Sequence, residues 1–275
     1  MMRVGWLELG ALSSLVLAGA WTTGARAQDV DDEGLPAAPG EARTVVGKAL
    51  EAMGGAEAVA AVRAAAIAIE PAEGGPRERH SLRLEGRLFH YQSRHAGGTG
   101  FDIVLARDLA VLSDRGPEGQ VTYVEDLAAD DAREGGYERD VLFMPLLLPA
   151  LLADARAQLD HRGKTTTGED VVRALVHPPE GAAGEPYYLR LRFDPETRLL
   201  SGVMGAIPVG RDAGRKRYVT FLDWKPVGKL KLPHKFVDKR DKDAPPREVA
   251  IAWTLDPELP ADLFTRPAAP APRAE

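Results

Sequence analysis

Much of this chain alternates between apolar and polar positions, the signature of half-buried strands. Tyr187, Leu189, Leu191 and Phe193 face one side of an extended segment, with Tyr188, Arg190 and Arg192 opposite. Val249, Ile251, Trp253 and Leu255 repeat the pattern against Glu248, Ala250, Ala252 and Thr254. Leu82, Leu84 and Leu88 alternate with Arg83, Glu85 and Arg87, which predicts one strand through that stretch. Further short strands are predicted at residues 67–69, 101–105, 109–112, 121–124, 171–176, 199–204, 218–224 and 229–237. Asp194-Pro195-Glu196-Thr197 supplies a turn between two of them, because proline presets φ at the second turn position. Strands apolar on one face only belong to antiparallel sheets, whereas parallel strands covered on both faces read as apolar throughout.

Other stretches follow a helical period. Val45, Val46, Ala49, Leu50 and Met53 share one face of a helix over residues 41–53, which Gly54-Gly55 stops. Residues 56–62 restart as a short helix. Residues 139–158 predict a further helix built around the apolar run 141–152. That run is too apolar for a surface helix and too short to span a bilayer. Pro145 and Pro149 break or kink it. It must therefore bury nearly its whole circumference against a sheet, a cavity or a partner.

Composition bounds the chemistry. The 275 residues are 44% hydrophobic and 28% charged, enough apolar material for a packed core. The net charge of −6 offers no basic face for nucleic acid. The absence of cysteine removes disulfides, thiolate zinc sites, iron–sulfur clusters and cysteine nucleophiles. At the N-terminus Arg3, an apolar run over residues 9–21 and Ala25-Arg26-Ala27 have the layout of a secretory signal cleaved before Gln28. The predicted order is then a signal over 1–27, a flexible acidic leader over 28–40, one domain over 41–267 and a Pro/Ala tail over 268–275. The mature product is expected outside the cytoplasm, in the periplasm.

Catalytic and metal motifs are missing. His80, His90, His95, His161, His177 and His234 form no ligand spacing and read as surface or hydrogen-bonding side chains. Asp130-Asp131 lacks the pattern of a calcium loop and reads as solvated. No serine lies in Gly-x-Ser-x-Gly, and the glycine-rich stretch 97–100 lacks the Lys-Ser or Lys-Thr of a phosphate loop. Residues 211–217 and 225–242 are locally basic, a lysine-protected strand edge or a face for anionic headgroups. A secreted hydrolase would have only dispersed Asp, Glu and His to work with.

Four motifs in order carry a resemblance. They are Ala49-Leu50-Glu51-Ala52-Met53-Gly54-Gly55 with Ala60-Ala61-Val62-Arg63, then Phe193-Asp194-Pro195-Glu196-Thr197 with Leu199-Leu200. Asp223-Trp224-Lys225-Pro226-Val227-Gly228 running into Leu232-Pro233-His234-Lys235-Phe236 follows, and Leu255-Asp256-Pro257 with Leu263-Phe264-Thr265-Arg266-Pro267 closes the set. Together the segments resemble the periplasmic outer-membrane lipoprotein-sorting, or lipoprotein-carrier (Lol-type), superfamily. The resemblance implies an α+β fold: a strongly curved antiparallel half-barrel sheet with helices covering the concave face. It also implies an apolar cavity that holds acyl chains without catalysis, cofactor or metal. The superfamily's functional arginine has four candidates by position, Arg63, Arg79, Arg83 and Arg87. The expected lining is Leu84, Leu88, Leu189, Leu191, Phe193, Phe221, Ile251 and Trp253 from strands, under a lid carrying Leu142, Phe143, Leu147 and Leu151. Expected partners are lipid or lipoprotein acyl chains and an envelope membrane protein, the chain itself being monomeric. The alternative is an envelope accessory protein that docks through the same surface with its core filled.

Overall fold

The alternating segments pair into one open antiparallel sheet. The computed structural model describes residues 38–69, 75–179, 185–209, 213–240 and 245–270, so the predicted signal, nearly all of the leader and residues 271–275 lie outside it. Among the described residues thirteen strands form. Six run outward by successive pairing: β1 (Ala64–Ile69), β2 (Arg77–Arg83), β3 (Leu88–Arg94), β4 (Gly100–Leu105), β5 (Ala110–Arg115) and β6 (Val121–Asp126). Helices α3 (Ala129–Leu142) and α4 (Met144–Ala153) then carry the chain to the opposite edge. From there β7 (Leu159–Lys164), β8 (Asp170–Val176), β9 (Tyr187–Phe193), β10 (Leu200–Ala206), β11 (Lys216–Val227), β12 (Leu230–Arg240) and β13 (Arg247–Leu255) return inward. The last strand, β13, lies beside the first, β1, in mid-sheet, and β6 and β7 are the two edges.

Helix α1 (Pro39–Met53) begins at a proline and carries Glu41 in its first turn, where a carboxylate suits the helix dipole. It buries Ala42, Val45, Val46, Ala49, Leu50 and Met53, the face that periodicity predicts. It stops because Gly54 adopts φ +128°, and a Cβ there would lie 2.4 Å from the Lys229 carbonyl oxygen. Helix α2 (Ala56–Ala60) follows, and both pack on α4. Among the described residues no helix is long and apolar enough to cross a membrane.

Two sequence expectations need correction. Leu82, Leu84 and Leu88 do not share a strand: β2 ends at Arg83, Leu84 takes a helical φ of −66°, a 3-10 turn covers Glu85–Arg87, and Leu88 opens β3. Gly86, at φ +69°, permits that turn, and apolar residues flanking a tight turn mimic strand alternation. The helix predicted at 139–158 is two helices, and the first starts ten residues earlier, at Ala129. They part at Phe143, and Pro145 sits in the first turn of α4. Met144, Pro145, Leu146, Leu147, Leu148 and Leu151 of α4 are all buried, as its composition requires.

Candidate functional site

Three hollows lie along helix α3. The inner pocket, about 120 Å³, has apolar side chains from six elements on one part of its wall and Glu78, His80, Glu138, Arg217, Asp238, Arg240 and Arg247 on the rest. Ile69 comes from β1, Phe89 and Tyr91 from β3, Phe101 and Ile103 from β4, Leu112 from β5, Phe236 from β12 and Leu142 from α3. Leu127, just before α3, is shared with an outer cleft of about 410 Å³. That cleft runs past Leu105, Leu109, Ala110, Ala129, Ala132, Pro178 and Pro179. Arg133 and Tyr187 belong both to the cleft and to a third, cationic groove of about 540 Å³.

The strand register explains the inner wall. Trp253, Ile67, His80, Tyr91, Ile103 and Leu112 are successive partners across β13, β1, β2, β3, β4 and β5. Residues directly opposite in neighbouring strands point to one face, so His80 interrupts an otherwise apolar row. Its side chain is 9% exposed, and among the described residues neither ring nitrogen makes a hydrogen bond. Nε2 lies 3.8 Å from the Glu78 carboxylate, too far for one. The imidazole rests instead 4.8 Å from the Tyr91 ring and 5.9 Å from Phe89. A buried polar group without a partner costs about 1–3 kcal/mol, so its presence in a hollow marks a place where a ligand or water would be held.

Helix α3 is fastened by two buried ion clusters. Glu138 accepts from Arg217 of β11 and, at 3.1 Å, from Arg240 of β12, while Asp238 accepts from both nitrogens of the Arg217 fork at 2.9 and 2.8 Å. Burial disfavours the charge on Asp238, but the Arg217 guanidinium outweighs it and holds the carboxyl below its ordinary value. Two residues on, Asp140 accepts from Arg139 at 2.7 Å, Arg87 at 3.3 Å and the Tyr187 hydroxyl at 2.6 Å. Burial opposes this carboxylate too, and Arg139 and Arg87 reverse the balance. Arg139 also donates to the Arg87 carbonyl at 3.1 Å, and Tyr137 to the Gly205 carbonyl at 3.2 Å.

The predicted lining divides unevenly. Leu142 lines the inner pocket. Phe143, Leu147, Leu151, Leu189, Leu191, Phe193, Phe221, Ile251 and Trp253 are buried in the continuous core. Leu84 and Leu88 are half-buried beside the 3-10 turn. No residue of α4 lines any of the three hollows, because its neighbours α1, α2 and α3 fill the space around it. These three hollows border α3, whereas the sequence expectation placed the hollow under the leucine-rich stretch 141–152. Of the histidines expected at the surface or in hydrogen bonds, His80, His90 and His161 are buried, and His161 meets Asp170 at 3.1 Å as a hydrogen-bonding side chain. The basic stretch at 211–217 ends in Arg217, which is 3% exposed in an ion cluster, not a solvated edge. Among the described residues no three His, Asp or Glu side chains gather as metal ligands.

No protein-family model matches the chain, and no curated protein sequence matches it. Among solved structures it is similar to a DUF1329 family protein from Desulfovibrio piger ATCC 29098. The two are 10% identical, with a TM-score of 0.48, over 83% of this chain and 98% of that one. It is also similar to a LolA superfamily protein from Nitrosomonas europaea, 12% identical with a TM-score of 0.47, over 82% of this chain and 97% of that one.

Proposed function

We propose that this chain is a non-enzymatic, periplasmic lipid-binding or carrier protein that takes an acyl chain into the hollows under α3. The observation that carries the reading is the inner pocket itself. It is a space with an apolar wall on one side and charged side chains on the other, under a helix that buried ion pairs fasten. At about 120 Å³ it is close to the roughly 150 Å³ cavity known to accept a benzene ring, so it suits a chain end. The outer cleft, about 410 Å³, falls in the ~300–1,000 Å³ class of ligand pockets and would take the remainder past Leu127. Each methylene removed from water contributes about 0.8 kcal/mol, so sixteen carbons would contribute roughly 10 kcal/mol before ordering costs.

A sheet cupped around α3 belongs to this reading, and the helix contacts support it. Tyr137 reaches the Gly205 carbonyl on β10, while Arg139 reaches the Arg87 carbonyl beside β3. Six strand spacings separate β3 from β10. In a flat sheet that is about 29 Å, beyond two side chains so close together on one helix. Of the four candidate arginines, Arg87 is one whose guanidinium pairs with α3, through Asp140.

Fluorescence enhancement of cis-parinaric acid, followed by displacement with palmitate, tests the proposal. Saturable binding is expected, and Leu142→Trp, which fills the inner pocket, should weaken it at least about tenfold while leaving the thermal transition in place. No enhancement with the folded protein, or equal binding by the variant, would overturn it. A second reading, an accessory protein with its core filled, is favoured by the burial of Met144, Leu146, Leu147, Leu148 and Leu151 of α4 in the packed core. It expects no bound lipid and a stable envelope partner.

A further inference from the structure

The third hollow has a different chemistry from the other two. Its lining includes Arg133 from α3, Arg162 from β7, Arg173 from β8, Arg190 from β9 and Lys216 from β11, and no carboxylate. At about 540 Å³ it is the largest of the three. In a chain of net charge −6, five cations converge on one groove. The register makes this a built feature, because Arg173 and Arg190 are direct partners on β8 and β9 and Met204 continues the row on β10. Like charges placed directly opposite in a sheet are destabilising, and Asp160, the partner of Arg173 on its other side, offsets part of that cost.

The guanidinium groups are positioned. Arg173 lies over the Tyr188 ring at 4.9 Å, the face of an aromatic ring favouring a cation. Carboxylates outside the groove answer part of the charge, Asp160 with Arg173 at 2.9 Å and Glu185 with Arg133 at 3.4 Å. Both arginines nevertheless keep a buried Nε–H with no hydrogen-bond acceptor among the described residues. Buried donors of this kind normally have partners, and two in one cationic groove are available to an anionic acceptor. Planar guanidinium forks match the paired oxygens of a phosphate as they do those of a carboxylate, and a phosphate group's charge of about −1.5 to −2 suits several converging cations better than a single carboxylate's.

We infer that this groove is a phosphate-binding site, taking a phosphate group either free or on a lipid headgroup. The inference does not rest on the acyl-chain reading, since no residue of the groove lines the inner pocket. Isothermal titration with inorganic phosphate is one arm of the test. Co-flotation with phosphatidylglycerol–phosphatidylcholine vesicles, against pure phosphatidylcholine, is the other. The full chain is expected to bind in at least one arm. Arg173→Gln and Arg133→Gln should each weaken binding by about tenfold, the loss of one charge-assisted hydrogen bond, and added salt should weaken it further. Arg192→Gln is the control, because Arg192 shares that face of β9 but pairs with Glu169 away from the groove. Circular dichroism reports folding for each variant, and Lys216→Gln replaces any that unfolds. Binding in the phosphate arm identifies the free anion as a sufficient ligand, and binding to vesicles alone identifies a headgroup. Binding in neither arm, or equal weakening by Arg192→Gln and the groove variants, would overturn the inference.

Discussion

Asp102 is nearly inaccessible, yet it faces Arg94 at 2.6 Å, Arg115 at 2.6 Å and the His90 ring at 3.9 Å. Burial by itself would raise its carboxyl, but the nearby His90 ring and the two guanidinium groups prevail and set it at about 2 instead of 3.8. The folded chain therefore releases this proton more readily than the unfolded one. The stabilisation is complete above pH 4 and disappears as pH falls through about 2. Urea unfolding between pH 5 and pH 2 should show that loss, and Asp102→Asn should be less stable at pH 5 and flatter with pH. A variant with the parent's slope would refute the assignment. Charged residues of this kind left a trace in the sequence. Arg217 stands in period with Val219 and Phe221, and Asp238 with Phe236, so each occupies a buried-face position. His80 likewise stands in period with Leu82. The pattern can flag such a residue as misplaced, but the partner that makes it tolerable comes from another strand and leaves no local sign.

Helix α3 is the element on which the binding site depends, and its composition is unusual for a roof. Gly135 and Gly136 sit in its middle, each costing about 1 kcal/mol relative to alanine in a helix interior. A Cβ at Gly136 would meet Arg139 only at 3.9 Å, an ordinary contact. Gly136→Ala should raise stability by about 0.5–1 kcal/mol in chemical denaturation. If α3 must loosen to admit a ligand, the same variant should slow uptake of cis-parinaric acid in stopped flow without changing the final affinity by as much. An unchanged rate would remove α3 from the gating role. The glycine pair also explains why the start of this helix was illegible. Asp130 and Asp131 read as a solvated acidic run, and Asp130 is exposed; they also form the helix's first turn, where negative charge meets the positive end of the dipole. Strand β7 was missed for a different reason. Its sequence, Leu159–Lys164, is short of apolar residues because an edge strand needs charge more than alternation. The hairpins β8 to β10 and the strand β13, with one face on the core, were legible almost residue by residue.

Across the whole molecule, pairing runs in order except at one place. Neighbours in the sheet are neighbours in the chain until β1 meets β13, nearly two hundred residues later, at Ala65–Leu255 through Ile69–Ile251. Asp256 reinforces the junction by accepting from the backbone nitrogens of Arg63 and Ala64 at 2.8 and 3.0 Å. The antiparallel class was readable from alternation, but this closing pair was not, since nothing local in either segment names its partner. A chain ending after Arg240 would leave β1 and β12 as open edges. Such a truncation should sediment as aggregate and lack a cooperative melt; a monomer with a sharp transition would contradict the pairing.

That junction sets a timetable for the nascent polypeptide. A ribosome releasing this chain must finish Arg247–Leu255 before the middle of the sheet can be sewn shut. Until then, two separate hairpin ladders wait, each with a raw side that another molecule can adopt. A product built this way has reason to be kept threadable and escorted during synthesis, and to acquire its shape only once its last strand has arrived.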